Sequence, residues 1–76
     1  MKIHIEYWIR WNYKPDFDRV SKLIYKIKPS ADIIGNSSPP RTGAFEVKID
    51  NKIVHSKFNS NDGDFPTESQ ILNWFK

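Results

Sequence analysis

The sequence contains no cysteine among its 76 residues. This absence excludes disulfide bonds, thiolate metal sites and thiol-based catalysis on this chain. No apolar run approaches the ~20 residues that a membrane-spanning helix requires. Residues 1–6 alternate between polar and apolar side chains, a pattern typical of neither a signal peptide nor a transit helix. We therefore expect a soluble, cytoplasmic protein with no membrane partner.

Repeats, linkers and low-complexity tracts are also missing, and the length predicts a single small domain over residues 1–76. A domain of this size buries only ~60% of its unfolded surface, so we expect marginal stability. The net charge is +3. Lys22, Lys26 and Lys28 fall late in a predicted helix, where cations complement the negative end of the helix dipole. That local role explains the basic excess better than a nucleic-acid-binding stripe does.

The first half of the chain predicts a strand, a helix and a second strand. The first strand alternates apolar with polar side chains and ends at residue 7. Pro15 suits the first position of the helix, where no backbone N–H is needed. The apolar residues of this helix recur at helical spacing: Phe17, Val20, Leu23, Ile24 and Ile27. Pro29 ends the helix because it disfavours the α conformation at Lys28, and residues 31–34 predict the second strand.

A hairpin follows the second strand. Its first strand alternates apolar with polar side chains over residues 44–49, and residues 53–58 form the returning strand. Asp50-Asn51 suits a two-residue turn with positive φ. A turn of that length places Val47 opposite Val54 on the apolar face and Glu46 opposite His55 on the polar face.

The last part of the chain predicts a polar loop over residues 59–64 and a final helix. Thr67 with Gln70 forms a capping box that opens this helix. The element order is β-α-β-β-β-α, in which the first three elements should form a right-handed parallel unit. Because one sheet face is polar, both helices should cover the other face. The predicted fold class is α/β, an α+β two-layer sandwich with a mixed four-stranded sheet and both helices on one face.

Three motifs make the sequence similar to a known family. The first is Glu6-Tyr7, a four-residue loop, and Tyr13-Lys14-Pro15. The second is Thr42-Gly43-Ala44-Phe45-Glu46-Val47, continued by Ile53-Val54-His55-Ser56-Lys57. The third is Gly63 followed by Phe65-Pro66-Thr67-Glu68-Ser69. In this order and spacing, the chain resembles the selenoprotein W-like (Rdx) family from about Ile5 to Trp74. The resemblance implies a thioredoxin-like fold.

The four-residue loop departs from the family pattern. The family carries Cys-x-x-Cys or Cys-x-x-selenocysteine there, and those two positions fall on Trp8 and Trp11. The redox chemistry that the resemblance implies requires a thiolate or selenolate near the positive end of the following helix. Indole has no ionisable thiol and forms no disulfide. We therefore predict no catalytic residue, no cofactor and no redox activity, so that this chain is not an enzyme.

Aromatic and basic side chains are concentrated in and beside this loop. The candidate binding residues are Trp8, Ile9, Arg10, Trp11 and Tyr13, because Trp, Tyr and Arg dominate binding hot spots. The interpretation is a non-catalytic module that binds an unknown protein partner or small ligand through this loop. The alternative is that both tryptophans are packing residues. Trp11 lies nearer the helix, so we expect it to be the more buried, with Trp8 and Arg10 exposed.

Nucleic-acid binding, metal binding and serine hydrolysis are each supported by fewer residues of the sequence. A single-stranded nucleic-acid binder would stack bases on the aromatic rings and use lysines for phosphates, but only Lys14 flanks the tryptophans. A metal site could combine His4, Glu6, Glu46 and His55 on the polar face, although cross-strand ion pairs explain the same residues. No serine has histidine and acid partners at a recognisable spacing, which excludes a serine hydrolase. We predict no metal site.

Overall fold

The computed structural model of the protein describes residues 1–58 and 65–76, so the predicted polar loop over 59–64 lies outside the described residues. The elements follow the predicted order: β1 (Lys2–Tyr7), α1 (Lys14–Ile27), β2 (Asp32–Gly35), β3 (Phe45–Ile49), β4 (Lys52–Lys57) and α2 (Glu68–Trp74). Element boundaries differ from the prediction by a residue; α1, for example, begins one residue before Pro15.

The four strands form one mixed sheet in the order β2-β1-β3-β4. β1 pairs with β2 in parallel, whereas β1 with β3 and β3 with β4 are antiparallel. The parallel pair follows from the helix between its strands, because a parallel connection requires a crossover. The predicted α+β fold with a mixed four-stranded sheet is confirmed, and it is compatible with the thioredoxin-like architecture that the resemblance implies.

One apolar cluster joins the inner face of the sheet to both helices. Its fully buried members come from β1, α1, β3 and α2: Ile3, Ile5, Val20, Ile24, Phe45, Val47 and Ile71. Because residues from both helices contact the same sheet face, the helices lie together on that face, as predicted. The opposite face of the sheet, called the outer face below, carries His4, Glu6, Glu46 and Lys48.

The ends of the helices and the hairpin turn agree with the local sequence signals. Thr67 Oγ1 accepts a hydrogen bond from Gln70 N at 3.2 Å, and Gln70 Oε1 accepts one from Thr67 N at 2.8 Å. Asp50 and Asn51 have positive φ angles of 48° and 72°. Lys28 leaves the helical region with φ −131° and ψ 83°. Neither helix in the described part of the chain is long and apolar enough to cross a bilayer.

The predicted register of the hairpin is wrong beyond its first two pairs. A β-bulge between Val47 and Lys48 shifts the pairing, so that Val47 lies opposite His55 instead of Val54. Directly paired residues share a face, and His55 therefore lies on the inner face, not on the polar face. Val54 still packs against the core as predicted. The bulge also turns Lys57 inward, opposite the buried Phe45.

The end of β1 is fixed by contacts from β2 and α1. The Tyr7 ring stacks on the Phe17 ring with centroids 4.5 Å apart. A Cβ at Gly35 would lie 2.9 Å from the Phe17 ring, so only glycine leaves room for this stack. The Asn36 side chain replaces a strand partner for Tyr7, since Asn36 Oδ1 accepts from Tyr7 N at 2.9 Å and Asn36 Nδ2 donates to Tyr7 O at 3.0 Å. These contacts fix the position of Tyr7, where the following loop begins.

Two carboxylates face each other on the outer face, because Glu6 in β1 pairs with Glu46 in β3. Arg41 bridges them, with its Nη2 2.7 Å from Glu6 Oε1 and 3.3 Å from Glu46 Oε1. The Arg41 guanidinium also lies 4.2 Å from the centre of the Phe58 ring. Hydrogen bonds from Arg41 hold the pKa of Glu6 below its ordinary value. Sequence reasoning anticipated cross-strand ion pairs here but not the bridging arginine.

The lowered pKa of Glu6 makes part of the stability depend on pH. Its contribution is fully present above the ordinary glutamate pKa of ~4.3 and is lost as the pH falls through the lower folded value. We expect Arg41→Gln to raise the Glu6 pKa, as measured by NMR titration of its carboxyl carbon. Lys48→Gln is the control, because the Lys48 ammonium pairs with the Glu46 carboxylate, with Nζ 3.9 Å from Oε1, instead of with Glu6. An unchanged Glu6 pKa in Arg41→Gln would contradict this explanation.

Candidate functional site

The loop between β1 and α1 is held at both ends by backbone hydrogen bonds. Trp8 N donates to Ala44 O at 2.8 Å, which extends the β1–β3 pairing one residue beyond β1. Asn12 N donates to Ile9 O at 3.0 Å and closes a tight turn, with Asn12 in the left-handed region at φ 61°. Tyr13 then caps α1, whose first bond runs from Phe17 N to Tyr13 O at 3.0 Å. The loop therefore has a defined conformation.

The two tryptophans are arranged in the reverse of the predicted order of burial. Trp8 is half-buried and packs against the core, whereas Trp11 is 38% exposed. The reason is positional: the Trp8 backbone still belongs to the sheet, while Trp11 lies in the turn that projects before α1. The expectation that Trp8 and Arg10 form the exposed pair is wrong for Trp8 and correct for Arg10.

The indole nitrogen of Trp8 lies in an unusual environment. Its indole Nε1 is buried and has no hydrogen-bond partner among the described residues. A buried unpaired donor costs ~1–3 kcal/mol, so the packing of the ring must outweigh this penalty. The Trp11 ring meets the Trp8 ring edge to face, with centroids 6.5 Å apart. Trp8 therefore serves as an apolar support beneath Trp11.

Tyr13 does not contribute to an accessible surface, although the sequence placed it among the candidate binding residues. It is only 3% exposed. Its hydroxyl is 3.1 Å from Lys57 Nζ, and its ring meets Phe65 edge to face at 4.8 Å. The Trp11 ring packs against the Tyr13 ring as well, with centroids 6.2 Å apart. Tyr13 therefore acts as a buried link between the loop and the core.

Sequence reasoning missed Lys57 as a member of this region. Lys57 is 4% exposed, and its ammonium lies 5.2 Å from the Tyr13 ring centre and 5.5 Å from that of Phe65. The inward position depends on the bulge in the β3–β4 hairpin, which alternation alone does not indicate. The Lys57 ammonium therefore lies close to the Tyr13 and Phe65 rings, and cation–π attraction favours this arrangement.

The accessible part of the loop is its turn. Ile9 is 60% exposed, and Arg10 and Trp11 are also exposed. We call Ile9, Arg10 and Trp11 the loop tip. Large apolar side chains are costly to leave in water, and here two of them are adjacent to an exposed arginine on a hydrogen-bonded turn. The loop tip can offer an apolar contact surface and a guanidinium donor to a partner.

The neighbouring lysine contributes little positive charge to the loop tip. Lys14 Nζ lies 2.9 Å from Asp18 Oδ1, and this hydrogen bond raises the pKa of Lys14. Its ammonium also lies 5.7 Å from the centre of the Phe17 ring, on the side of α1. A phosphate backbone following the tryptophans would therefore meet an ammonium that is already compensated by a carboxylate. This geometry weakens the interpretation as a nucleic-acid binder.

The four residues considered for a metal site do not converge. His55 lies on the inner face, where its ring is 6.2 Å from the Phe45 ring, whereas Glu6 and Glu46 lie on the outer face. Across residues 1–58 and 65–76, no group of three or more His, Asp or Glu side chains is placed to hold a metal ion. The register shift therefore places one of the proposed metal ligands, His55, on the face of the sheet opposite to Glu6 and Glu46.

Comparison with known proteins identifies the family. The sequence pattern of the Rdx family matches residues 2–76. The chain belongs to the Rdx family. This Rdx protein is 38% identical to selenoprotein W of Ovis aries over 71 residues, which are 92% of this chain and 80% of that protein.

Two further relatives show the same extent of similarity. Selenoprotein W of Mus musculus is 35% identical over 72 residues, which are 93% of this chain and 81% of that protein. Selenoprotein W of Danio rerio is 33% identical over 72 residues, which are 93% of this chain and 83% of that protein. The resemblance inferred from the three motifs is confirmed, and it extends through the region that holds the Trp8–Trp11 loop.

Proposed function

We propose that this Rdx protein is a non-enzymatic binding module whose loop tip contacts a protein partner or a small ligand. The observation that supports this proposal best is the exposure of Trp11 and Ile9 on a turn closed by a backbone hydrogen bond. Exposed tryptophan is characteristic of binding hot spots. A turn that is already ordered loses less conformational entropy when a partner binds.

The two tryptophans have different roles in this proposal. Trp8 packs against the core and supports the turn, while Trp11 makes the contact. Edge-to-face contacts with Trp8 and Tyr13, at 6.5 and 6.2 Å, restrict the orientation of the Trp11 ring. A rigid aromatic side chain supplies a large contact area at low entropic cost. This pairing of a support and a contact residue favours recognition over a purely structural role for both tryptophans.

Arg10 suggests the chemistry of the partner surface. Its side chain is exposed between the two apolar residues of the loop tip. A complementary surface would combine an apolar pocket for Trp11 with a carboxylate or another acceptor for the guanidinium, because arginine pairs with such groups through two parallel hydrogen bonds. We therefore propose a partner site that is apolar at its centre and acidic at its edge.

The non-enzymatic part of the proposal has its own test. We expect no peroxidase turnover and no disulfide-reductase turnover when glutathione or thioredoxin is the reductant, because the chain contains no thiol. The assay follows reductant consumption by the purified protein and by a heat-inactivated sample. Turnover above the heat-inactivated sample would contradict a non-enzymatic function.

The binding part is tested by affinity capture from a cell extract with three immobilised proteins. These are the wild type, the double variant Ile9→Ala/Trp11→Ala, and Leu72→Ala. Leu72 is a suitable control because it is 47% exposed on α2 and lies beside Ile27, at the end of α1 farther from the loop. We expect proteins that are retained by the wild type and by Leu72→Ala but lost with the double variant.

Two outcomes would oppose this function. Equal retention by all three proteins, with circular dichroism showing each to be folded, would remove the loop tip from recognition. Saturable binding of a single-stranded oligonucleotide with a steep dependence on salt would instead favour the nucleic-acid alternative.

A further inference from the structure

A groove of about 430 Å³ lies on the outer face of the sheet, near the start of β1 and the β3–β4 turn. Its lining includes Lys2, His4, Ile34, Ser37, Lys48 and Asp50. No residue of the loop tip belongs to its lining, because the loop tip follows the other end of β1. Small-molecule sites typically have volumes of ~300–1,000 Å³, so the groove has the right size for a small ligand.

The strand register places three of these side chains in one row. His4 in β1 lies opposite Ile34 in β2 and opposite Lys48 in β3. The Ile34 side chain is 45% exposed on this face. The row therefore runs from an exposed apolar side chain, through an imidazole, to an ammonium group.

A hydroxyl and a second cation complete the groove. Ser37 Oγ lies 3.0 Å from His4 Nε2, a contact that sequence reasoning did not anticipate. The Ser37 backbone N–H donates to the same nitrogen at 3.4 Å, so Nε2 is an acceptor and the contact holds Ser37 at the edge of the groove. Lys2 is exposed at the rim. Two ammonium groups and one hydroxyl thus surround an apolar patch.

The carboxylates near the groove are already engaged. Asp50 Oδ1 accepts a hydrogen bond from Lys2 N at 2.9 Å, which ties the hairpin turn to β1. Glu46, 3.9 Å from Lys48 Nζ, also contacts Arg41 and accepts a hydrogen bond from Ser56 Oγ at 3.2 Å. A bond from a neutral backbone N–H leaves the charge on Asp50, so the lining carries two ammonium groups and one carboxylate, a net charge of +1 that would attract an anion.

We propose that this groove binds a small organic anion, a carboxylate or phosphate ester that also carries an apolar group. The anionic end lies between Lys2 and Lys48. The apolar group covers Ile34. Because none of these residues belongs to the loop tip, this site is independent of the proposed partner surface, and either proposal can fail without the other.

The test is an NMR titration of backbone amide signals with three probes: phenyl phosphate, hexanoate and inorganic phosphate. We expect saturable shifts confined to residues 2–4, 34–37 and 48–51, with a Kd of about 1 mM or tighter for at least one probe that has an apolar group. Comparing phenyl phosphate with hexanoate distinguishes a phosphate ester from a carboxylate as the preferred class. No saturable shift with either of these two probes would overturn the proposal.

Variants separate a specific site from general attraction of anions to a positively charged protein. Lys2→Gln/Lys48→Gln should weaken binding about tenfold or more, the loss expected when two surface charge contacts are removed. Lys22→Gln/Lys26→Gln removes the same charge from exposed positions on α1, on the other side of the sheet, and should leave the affinity nearly unchanged. Equal losses in the two double variants would overturn the proposal.

A third variant tests the apolar half of the site. Ile34→Ser should weaken phenyl phosphate or hexanoate severalfold while leaving the inorganic phosphate titration unchanged, because only the first two can cover Ile34. Ile34 is exposed, so this variant should remain folded. If Ile34→Ser binds the probes as the wild type does, the apolar half of the proposal is wrong.

Discussion

Replacing Ile24 with alanine is expected to lower the free energy of unfolding by about 2–5 kcal/mol. Ile24 is fully buried in α1 and belongs to the cluster that joins both helices to the inner face of the sheet. Its truncation removes apolar contacts from that cluster and leaves a cavity. Small domains have total stabilities of only ~5–15 kcal/mol, so this variant should be partly unfolded under mild denaturing conditions.

Urea denaturation followed by circular dichroism measures this effect. Leu72→Ala is the matched control, because Leu72 is also an aliphatic residue of a helix but is 47% exposed. Its midpoint should move little. A midpoint for Ile24→Ala as close to the wild type as that of Leu72→Ala would mean that α1 does not pack through the face described above.

The second large effect distinguishes the two tryptophans. Trp8→Ala is expected to cost about 2–4 kcal/mol, less than a fully buried tryptophan because the side chain is only half-buried. Trp11→Ala should cost less, about 1–2 kcal/mol, since it loses mainly its edge-to-face contacts with Trp8 and Tyr13. The asymmetry follows from the reversed order of burial.

Trp8→Phe provides a control for the cause of the Trp8 effect. Phenylalanine keeps most of the apolar packing and removes the buried Nε1 that has no partner within the described residues. Removing that donor offsets part of the lost packing, so Trp8→Phe should be clearly more stable than Trp8→Ala. Thermal melts of the three variants decide the matter. Equal losses for Trp8→Ala and Trp11→Ala would contradict the separate roles of support and contact residue.

The fold was predictable because its local signals are strong and agree with one another. The alternation in β1, the apolar stripe of α1 and the capping box at Thr67 each specify one element. The polar outer face then leaves only one side of the sheet for the helices. Three short motifs were also enough to indicate the Rdx family, to which the chain belongs.

The hairpin register was not predictable from alternation. Residues 53–58 read as Ile-Val-His-Ser-Lys-Phe, and neither alternating set is clearly apolar. The bulge allows Val54 to pack against the core while His55 and Lys57 also turn inward. The shifted register accompanies a contact between Lys57 and Tyr13, 44 residues apart, and such long-range contacts leave no periodic trace in the sequence.

The candidate site was predictable as a segment but not in its detail. Composition identified residues 8–13, yet burial divides them into the exposed loop tip, the supporting Trp8 and the buried Tyr13. That division is decided by one hydrogen bond to Ala44, which keeps Trp8 in the sheet, and by the turn closed at Asn12. The expectation that Trp11 is the more buried tryptophan failed because it assigned burial by distance from the helix alone.

The central claim is that Trp11 makes the contact in a recognition surface. Its most direct test is the affinity of a partner, obtained by capture with the wild type, for the wild type, Trp11→Ala and Leu72→Ala, measured by calorimetry. A hot-spot residue contributes ~2 kcal/mol or more, so Trp11→Ala should weaken binding about thirtyfold while the variant remains folded. Leu72→Ala should bind as the wild type does. Wild-type affinity in a folded Trp11→Ala variant would contradict the claim.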